Sequence, residues 1–227
     1  MSDRIEGIRA CIFDTYGTLL DSASAVMRCP DIPEGQRKTL SSLWREKQLS
    51  YTWLLNAQNR HPDFWQVTGD ALDFALDTLE LATPERRRQL MALYRKLTPY
   101  PEVADALRRL RQRGITTAIL SNGTPDMLDE AVEAAALTGL FDHVLSAEDA
   151  CAFKPDPRVY QLAVDRLELP LSALCFLSSN GWDVYGASAF GMHAIWCNRH
   201  ASRPERLPGA PDLVIDTLAP LPEIVGS

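Results

Sequence analysis

The residues of this chain that could do chemistry stand at the ends of apolar runs. Asp14 follows an apolar stretch over residues 8–13 that only Arg9 interrupts. Tyr16 and Gly17 then turn the chain, and Thr18 can set a hydroxyl beside the carboxylate. A carboxylate at that point can be a nucleophile or a metal ligand; the plainer reading is an Asp that caps a turn. The arrangement recurs. Ser121 and Asn122 follow the run 115–120, and Ser178, Ser179 and Asn180 follow the run 173–177, with Asp183 close behind. Lys154 lies in the loop between them. Each has a structural role open to it by itself: Ser121 and Asn122 as a cap before Pro125, Lys154 as a solvated charge, Asp183 as a first-turn helix acid. Jointly they mark one edge of a sheet, where open parallel sheets bind ligands, and a shared site is expected there.

The elements that must position these groups read as follows. After Asp21 the pattern is helical to about residue 97. Leu40, Leu43, Trp44 and Lys47 begin one face, continued by Tyr51 and Leu55; Ala71, Leu72, Ala75 and Leu79 form a second. Thr83, Pro84 and Glu85 start a third helix, with Leu90, Leu93, Tyr94 and Leu97 on one side. From residue 98 strands alternate with helices: helix 101–113, strand 115–120, a helix from Pro125, strand 143–146, a helix after Pro157, strand 173–177, helix 182–190, and late strands at 194–197 and 213–215. Residues 203–211 are a Pro-rich loop. This alternation predicts an α/β fold, a Rossmann-like parallel sheet with helices on both faces and an inserted all-helical cap. The core comprises residues 1–20 and 98–227, and the cap residues 21–97. An insertion at a strand's carboxyl end sits above the site and can exclude water from it.

Composition narrows the function. The 227 residues are 46% hydrophobic and 23% charged, ordinary for a globular protein with a substantial core. The net charge of −7 argues against nucleic acid or an anionic membrane as partner. No run reaches membrane-spanning length, and the first residues have no apolar signal core. The five cysteines form no CxxC pair; Cys11, Cys175 and Cys197 sit in strand-like runs, which fits thiols packed as small hydrophobes in a reducing cytoplasm. His61, His143, His193 and His200 show no metal-ligand spacing.

Five segments carry a family resemblance: Phe-Asp-Thr-Tyr-Gly-Thr-Leu at 13–19, Leu-Ser-Asn-Gly-Thr at 120–124, Lys-Pro-Asp-Pro-Arg-Val-Tyr at 154–160, Ser-Ser-Asn-Gly-Trp-Asp at 178–183 and, in the insertion, Leu-Trp-Arg-Glu-Lys-Gln-Leu-Ser-Tyr-Thr-Trp at 43–53. In order and over nearly the whole chain, they resemble the L-2-haloacid dehalogenase branch of the haloacid dehalogenase superfamily. Most of that superfamily transfers phosphoryl groups with Mg²⁺, and such members carry a second Asp two residues after the nucleophile; here that position is Tyr16. Asp183 is the only acid near the later strand end, and Lys154 beside it makes a cation redundant. The resemblance implies a metal-free, cofactor-free hydrolase for a small 2-halocarboxylate, acting through an aspartyl ester. A Mg²⁺-dependent phosphatase, or a hydrolase opening another bond to carbon such as a strained azetidine-2-carboxylate ring, are the alternatives.

The roles implied by that resemblance are these. Asp14 attacks the α-carbon, and Lys154 with the hydroxyls of Thr18 and Ser121 keeps it ionised. Arg45 and Asn122 receive the halide, with Phe64 and Trp182 as walls. Asp183 activates a water that Asn180 positions, and Tyr160 and Ser178 orient Lys154 and Asp183. The substrate carboxylate rests on backbone N–H groups near Thr15 and Tyr16 and on Ser121. Thr15 departs from the aliphatic residue common in relatives, which makes that wall more polar. The family also implies a homodimer formed through the cap.

Overall fold

The computed structural model describes residues 4–226. Six parallel strands make the central sheet: β1 (Ala10–Phe13), β2 (Thr116–Ser121), β3 (His143–Ser146), β4 (Leu174–Ser178), β5 (His193–Cys197) and β6 (Leu213–Ile215). Their spatial order is β3-β2-β1-β4-β5-β6, with β1 at the centre and the direction of crossover reversing on either side of it. This is the strand order whose switch point, at the carboxyl ends of the central strands, forms a ligand crevice.

The strands read as unbroken apolar runs because both faces are covered. Cys11 and Phe13 join one buried cluster with Ile119, Cys175 and Leu177, while Ala10 and Ile12 join a second with Ala118, Leu120, Leu174 and Phe176. Helices α5 (Val103–Gln112) and α6 (Pro125–Ala134) pack on the first face; α7 (Pro157–Leu167) and α8 (Gly181–Phe190) pack on the second. The cap helices are α1 (Ser24–Met27), α2 (Glu34–Ala57), α3 (Phe64–Thr78) and α4 (Pro84–Tyr94). Asp63 and Thr83 start α3 and α4 by accepting hydrogen bonds from Gln66 N and Arg86 N. The chain enters and leaves the cap side by side, because Leu20–Asp21 pairs antiparallel with Thr98–Pro99. No helix among the described residues is long and apolar enough to cross a membrane.

Some boundaries differ from those read off the sequence. The first strand starts at Ala10, although Ile8 is buried, because the Ile8 N–H turns aside to donate to Gly226 O at 3.0 Å. Helix α6 is capped by Thr124, which accepts from Met127 N, and not by Ser121 or Asn122. Along α2 the buried stripe is Leu40, Trp44, Gln48 and Thr52, so two polar residues lie inward where the apolar pattern had placed Leu43 and Lys47. Lys47 is instead laid over the Phe74 ring at 4.4 Å.

Candidate active site

Asp14 is the first residue past the hydrogen-bonded end of β1, and its N–H donates to Leu177 O of β4 at 2.9 Å. The chain then curls tightly. The N–H groups of Leu19 and Leu20 both donate to Thr15 O at 3.0 Å, and Gly17 takes a positive φ of 92° that a side chain would strain. That curl brings Thr18 back beneath the Asp14 carboxylate. Asp14 Oδ2 accepts from Thr18 Oγ1 at 3.0 Å, Asn180 Nδ2 at 2.9 Å and Ser178 Oγ at 3.4 Å. Among the described residues Asp14 Oδ1 accepts only from Lys154 Nζ, at 3.2 Å. Thr18 Oγ1 in turn accepts from Ser179 N at 2.8 Å, so the end of β4 fixes the hydroxyl that fixes the carboxylate.

Lys154 is 1% exposed and stands between two acids. Its ammonium donates to Asp183 Oδ2 at 3.0 Å as well as to Asp14. Asp183, in the first turn of α8, is fully buried and accepts from Tyr160 OH at 2.7 Å on its other oxygen. Burial drives the Asp183 carboxyl up to about 6; Lys154 opposes the rise, Asp14 adds to it, and the Tyr160 hydrogen bond lowers it. Burial also holds the Tyr160 phenol well above its ordinary value, so it donates as a neutral hydroxyl. Gly186 makes room for this contact, since a Cβ there would lie 2.7 Å from Tyr160 OH.

The cap closes the crevice from above. Arg45 of α2 donates to Tyr16 O and to Asn180 Oδ1, both at 3.2 Å, and its other amino group donates to Gln48 Oε1 at 2.9 Å. Gln48 is held by a buried network that the sequence pattern does not reveal: its Nε2 donates to Thr68 Oγ1 at 2.8 Å and to Tyr94 OH at 3.0 Å. The Tyr16 ring lies between Tyr94, at 5.4 Å, and Phe64, at 5.9 Å. Gly123 admits it, because a Cβ at that position would lie 2.8 Å from Tyr16 OH. Thr15 is buried and its hydroxyl has no partner among the described residues.

Three expected contacts are arranged differently. Ser121 Oγ accepts from Gly123 N and makes no bond to Asp14; its place on that carboxylate is taken by Ser178 and Asn180. Ser178 serves Asp14 and Asn180 N, while Tyr160 alone of that pair touches Asp183. Trp182 is half-buried against Trp53, with ring centroids 5.5 Å apart, in a cavity of about 450 Å³ that Asn56, Pro155, Asp156 and Leu207 also line. Asn122 reaches the site through Lys154, whose N–H donates to Asn122 Oδ1 at 2.9 Å. Arg199 carries no mark in the sequence: it donates to Thr18 O at 2.9 Å and pairs with Glu102 at 2.7 Å, bracing the turn from behind.

The family model for haloacid dehalogenase-like hydrolases matches residues 8–191. The chain belongs to this family. Within the haloacid dehalogenase-like hydrolases it is 43% identical to the (S)-2-haloacid dehalogenase 1 of Pseudomonas sp. (strain CBS-3), over 97% of this chain and 98% of that one. It is 45% identical to the (S)-2-haloacid dehalogenase 4A of Burkholderia cepacia, over 88% and 87%. Among solved structures it is similar to the L-2-haloacid dehalogenase of Xanthobacter autotrophicus with chloropropionic acid covalently bound. That match has a TM-score of 0.89 and 35% identity over 95% of this chain and 97% of that chain. The α/β core with its helical insertion is thus shared with hydrolases that act on carbon–halide bonds.

Proposed function

We propose that this chain is an (S)-2-haloacid dehalogenase that turns 2-haloacids into (R)-2-hydroxyacids through an ester on Asp14, without a metal. The observation that carries this reading is the dry, lysine-bridged pair of aspartates. Oδ2 of Asp14 is anchored by three donors, whereas Oδ1 has, among the described residues, only Lys154 and keeps a lone pair for attack. A carboxylate stripped of water and held this way is a competent nucleophile at carbon. Oδ1 attacks the α-carbon opposite the halogen; the carbon–halogen bond breaks, the halide leaves with the electron pair, and the carbon inverts. Arg45 and the Asn122 amide supply the positive charge and donors where the halide emerges, with the Phe64 ring as an apolar wall. The substrate carboxylate is met by the N–H of Tyr16, which the turn does not use, and by Ser121.

Hydrolysis follows at the Asp14 carbonyl carbon. Asp183 takes a proton from a water that Asn180 helps to place, and the resulting hydroxide adds to the ester. Oδ2, the former anchor, becomes the oxyanion, and Thr18, Ser178 and Asn180 already point donors at it. Collapse breaks the acyl–oxygen bond, and the proton on Asp183 passes to the departing alkoxide. Collapse leaves Asp14 as the carboxylic acid; its remaining proton is released to solvent, and the carboxylate is regenerated carrying one water-derived oxygen.

The donor set does not fit a divalent ion, because the space between the two carboxylates is filled by the Lys154 ammonium, 3.2 and 3.0 Å from their oxygens. Nor does Tyr16 supply the acid that phosphoryl transfer to a leaving oxygen would use. Single turnover in ¹⁸O-labelled water, followed by mass spectrometry of the peptide holding Asp14, is expected to find label in that side chain. Chloride should be released from L-2-chloropropionate and not from its mirror image, with EDTA having no effect. Label found only in the product would end the ester route.

A further inference from the structure

We propose that Asn56, on the cap, is a positioning residue for Lys154: it grips the backbone of Phe153 across the cap–core seam, so that docking of the cap and placement of the ammonium are one event. The proposal rests on the reading in which Lys154 bridges the two aspartates, and it adds a residue that neither charge nor motif marks out.

Asn56 lies in the last turn of α2 and is half-buried. Its amide makes both bonds that a neighbouring peptide would make. Nδ2 donates to Phe153 O at 2.6 Å, and Oδ1 accepts from Phe153 N at 2.9 Å. A two-point bond of this kind fixes the peptide in rotation as well as in position. The Phe153 ring is fully buried, with the cap's His61 stacked on it at 4.3 Å and Phe64 at 6.2 Å. The next residue is Lys154, whose own N–H is held from the core side by Asn122. The segment is thus gripped by the cap at one residue and by the core at the next. From that backbone the buried lysine side chain extends to the two carboxylates. A shift of the cap that pulls Phe153 moves the root of the lysine with it.

A second tie crosses the same seam and provides the control. The Phe64 N–H, at the start of α3, donates to Glu148 Oε1 at 3.2 Å without touching residues 153 or 154. Loosening the seam at Glu148 weakens cap docking in general; loosening it at Asn56 releases the lysine in particular.

The test is limited acylation of the full chain with acetic anhydride, read by mass spectrometry at Lys154 against the exposed Lys38. Labelling of Lys154 is expected to rise about tenfold or more in Asn56→Ala and Asn56→Asp, the scale of a local opening made easier by a lost grip. Asn56→Asp keeps the size of the side chain but sets a carboxylate against the Phe153 carbonyl. Asn56→Ser, which can keep one bond, should fall between these and the wild type, and Glu148→Ala, which removes the acceptor for the Phe64 N–H, should label like the wild type. The acid limb of the steady-state pH profile should move upward in Asn56→Ala. The groups around Asp183 are Lys154, Asp14 and Tyr160, and of these the cation that lowers its pKa would be displaced. Unchanged protection of Lys154 in both Asn56→Ala and Asn56→Asp would overturn the proposal, as would equal labelling in Glu148→Ala. Acylation needs no turnover, so a chain that releases no halide would sink the function proposed above while leaving this grip to be judged separately.

Discussion

The core and the cap face each other across the same crevice, and they furnish it with opposite kinds of group. The core brings charge: Asp14, Asp183 and Lys154 arrive from the ends of strands and loops far apart in sequence, and all are buried. The cap brings mostly neutral dipoles and rings, namely Gln48, Thr68, Tyr94 and Phe64, arranged around the single guanidinium of Arg45. Buried charge needs a rigid frame that can hold it against desolvation, and the central strands of a sheet provide one. Orienting a long flexible cation over that charge takes a polar network with every bond made, which helices packed side by side can supply. The division predicts that core substitutions strike the bond-making steps, and that cap substitutions strike orientation and the exclusion of water.

The sharpest way to break the comparison is Lys154→Met. It leaves two buried carboxylates facing one another with no cation between them, and one must take up a proton. We expect kcat to fall about 10³-fold, the scale seen when a preorganised electrostatic partner is removed. We also expect about 3–5 kcal/mol of stability to be lost, because breaking a buried pair strands its partner. Urea unfolding and steady-state kinetics check both. A variant retaining a tenth of the activity would show that the cation is dispensable and that the core is not where the charge matters.

Gln48→Leu asks the same of the cap. The leucine fills much the same space but leaves Arg45 without its Gln48 acceptor and Tyr94 OH without a partner. A fall of about 10- to 100-fold in kcat/KM is expected, with a larger share in KM than Lys154→Met shows, as for a group that steers and does not react. If both variants lowered kcat alone and by similar factors, the proposed division between the two regions would be wrong.

The same contrast governs how much of the molecule is legible in the chain. The sheet is legible because its strands are apolar on both faces and end abruptly on polar residues, a pattern that half-exposed strands and amphipathic helices do not produce. Asp14, Ser178, Asn180 and Asp183 can therefore be placed together at one edge from position alone. The cap network cannot. Gln48 and Thr52 look like the solvated side of an amphipathic helix, yet both are buried, and Gln48 is turned inward by its bonds to Thr68 of α3 and Tyr94 of α4. Asn56 is silent for the same reason: a polar residue near a helix end carries no mark of the backbone it will meet 97 positions later. Arg199 is hidden by distance, lying 181 residues from the threonine whose carbonyl it holds. Apolar periodicity finds what is buried for being greasy; it misses what is buried for being satisfied.

The smallest expected effect lies where the core's charge is tuned by a neutral group. Asp183 titrates at about 6 in the folded chain, so the acid limb of kcat for ester hydrolysis should fall about tenfold per pH unit below that value, because only the ionised form can take a proton from water. Tyr160 donates to the ionised carboxylate and lowers its pKa. Removing that hydroxyl in Tyr160→Phe should move the limb upward, toward neutrality, and cost a few-fold in rate at about pH 7 with little change well above it. Stability carries the complementary sign. The folded chain holds the Asp183 proton up to about 6, whereas the unfolded chain releases it near the ordinary 3.8, so stability from the protonated acid is full below 3.8 and is lost as pH rises through 6. In Tyr160→Phe that loss should run to higher pH. A limb that moved downward in Tyr160→Phe would mean that the hydroxyl acts on the protonated acid, and that Asp183 is not the base.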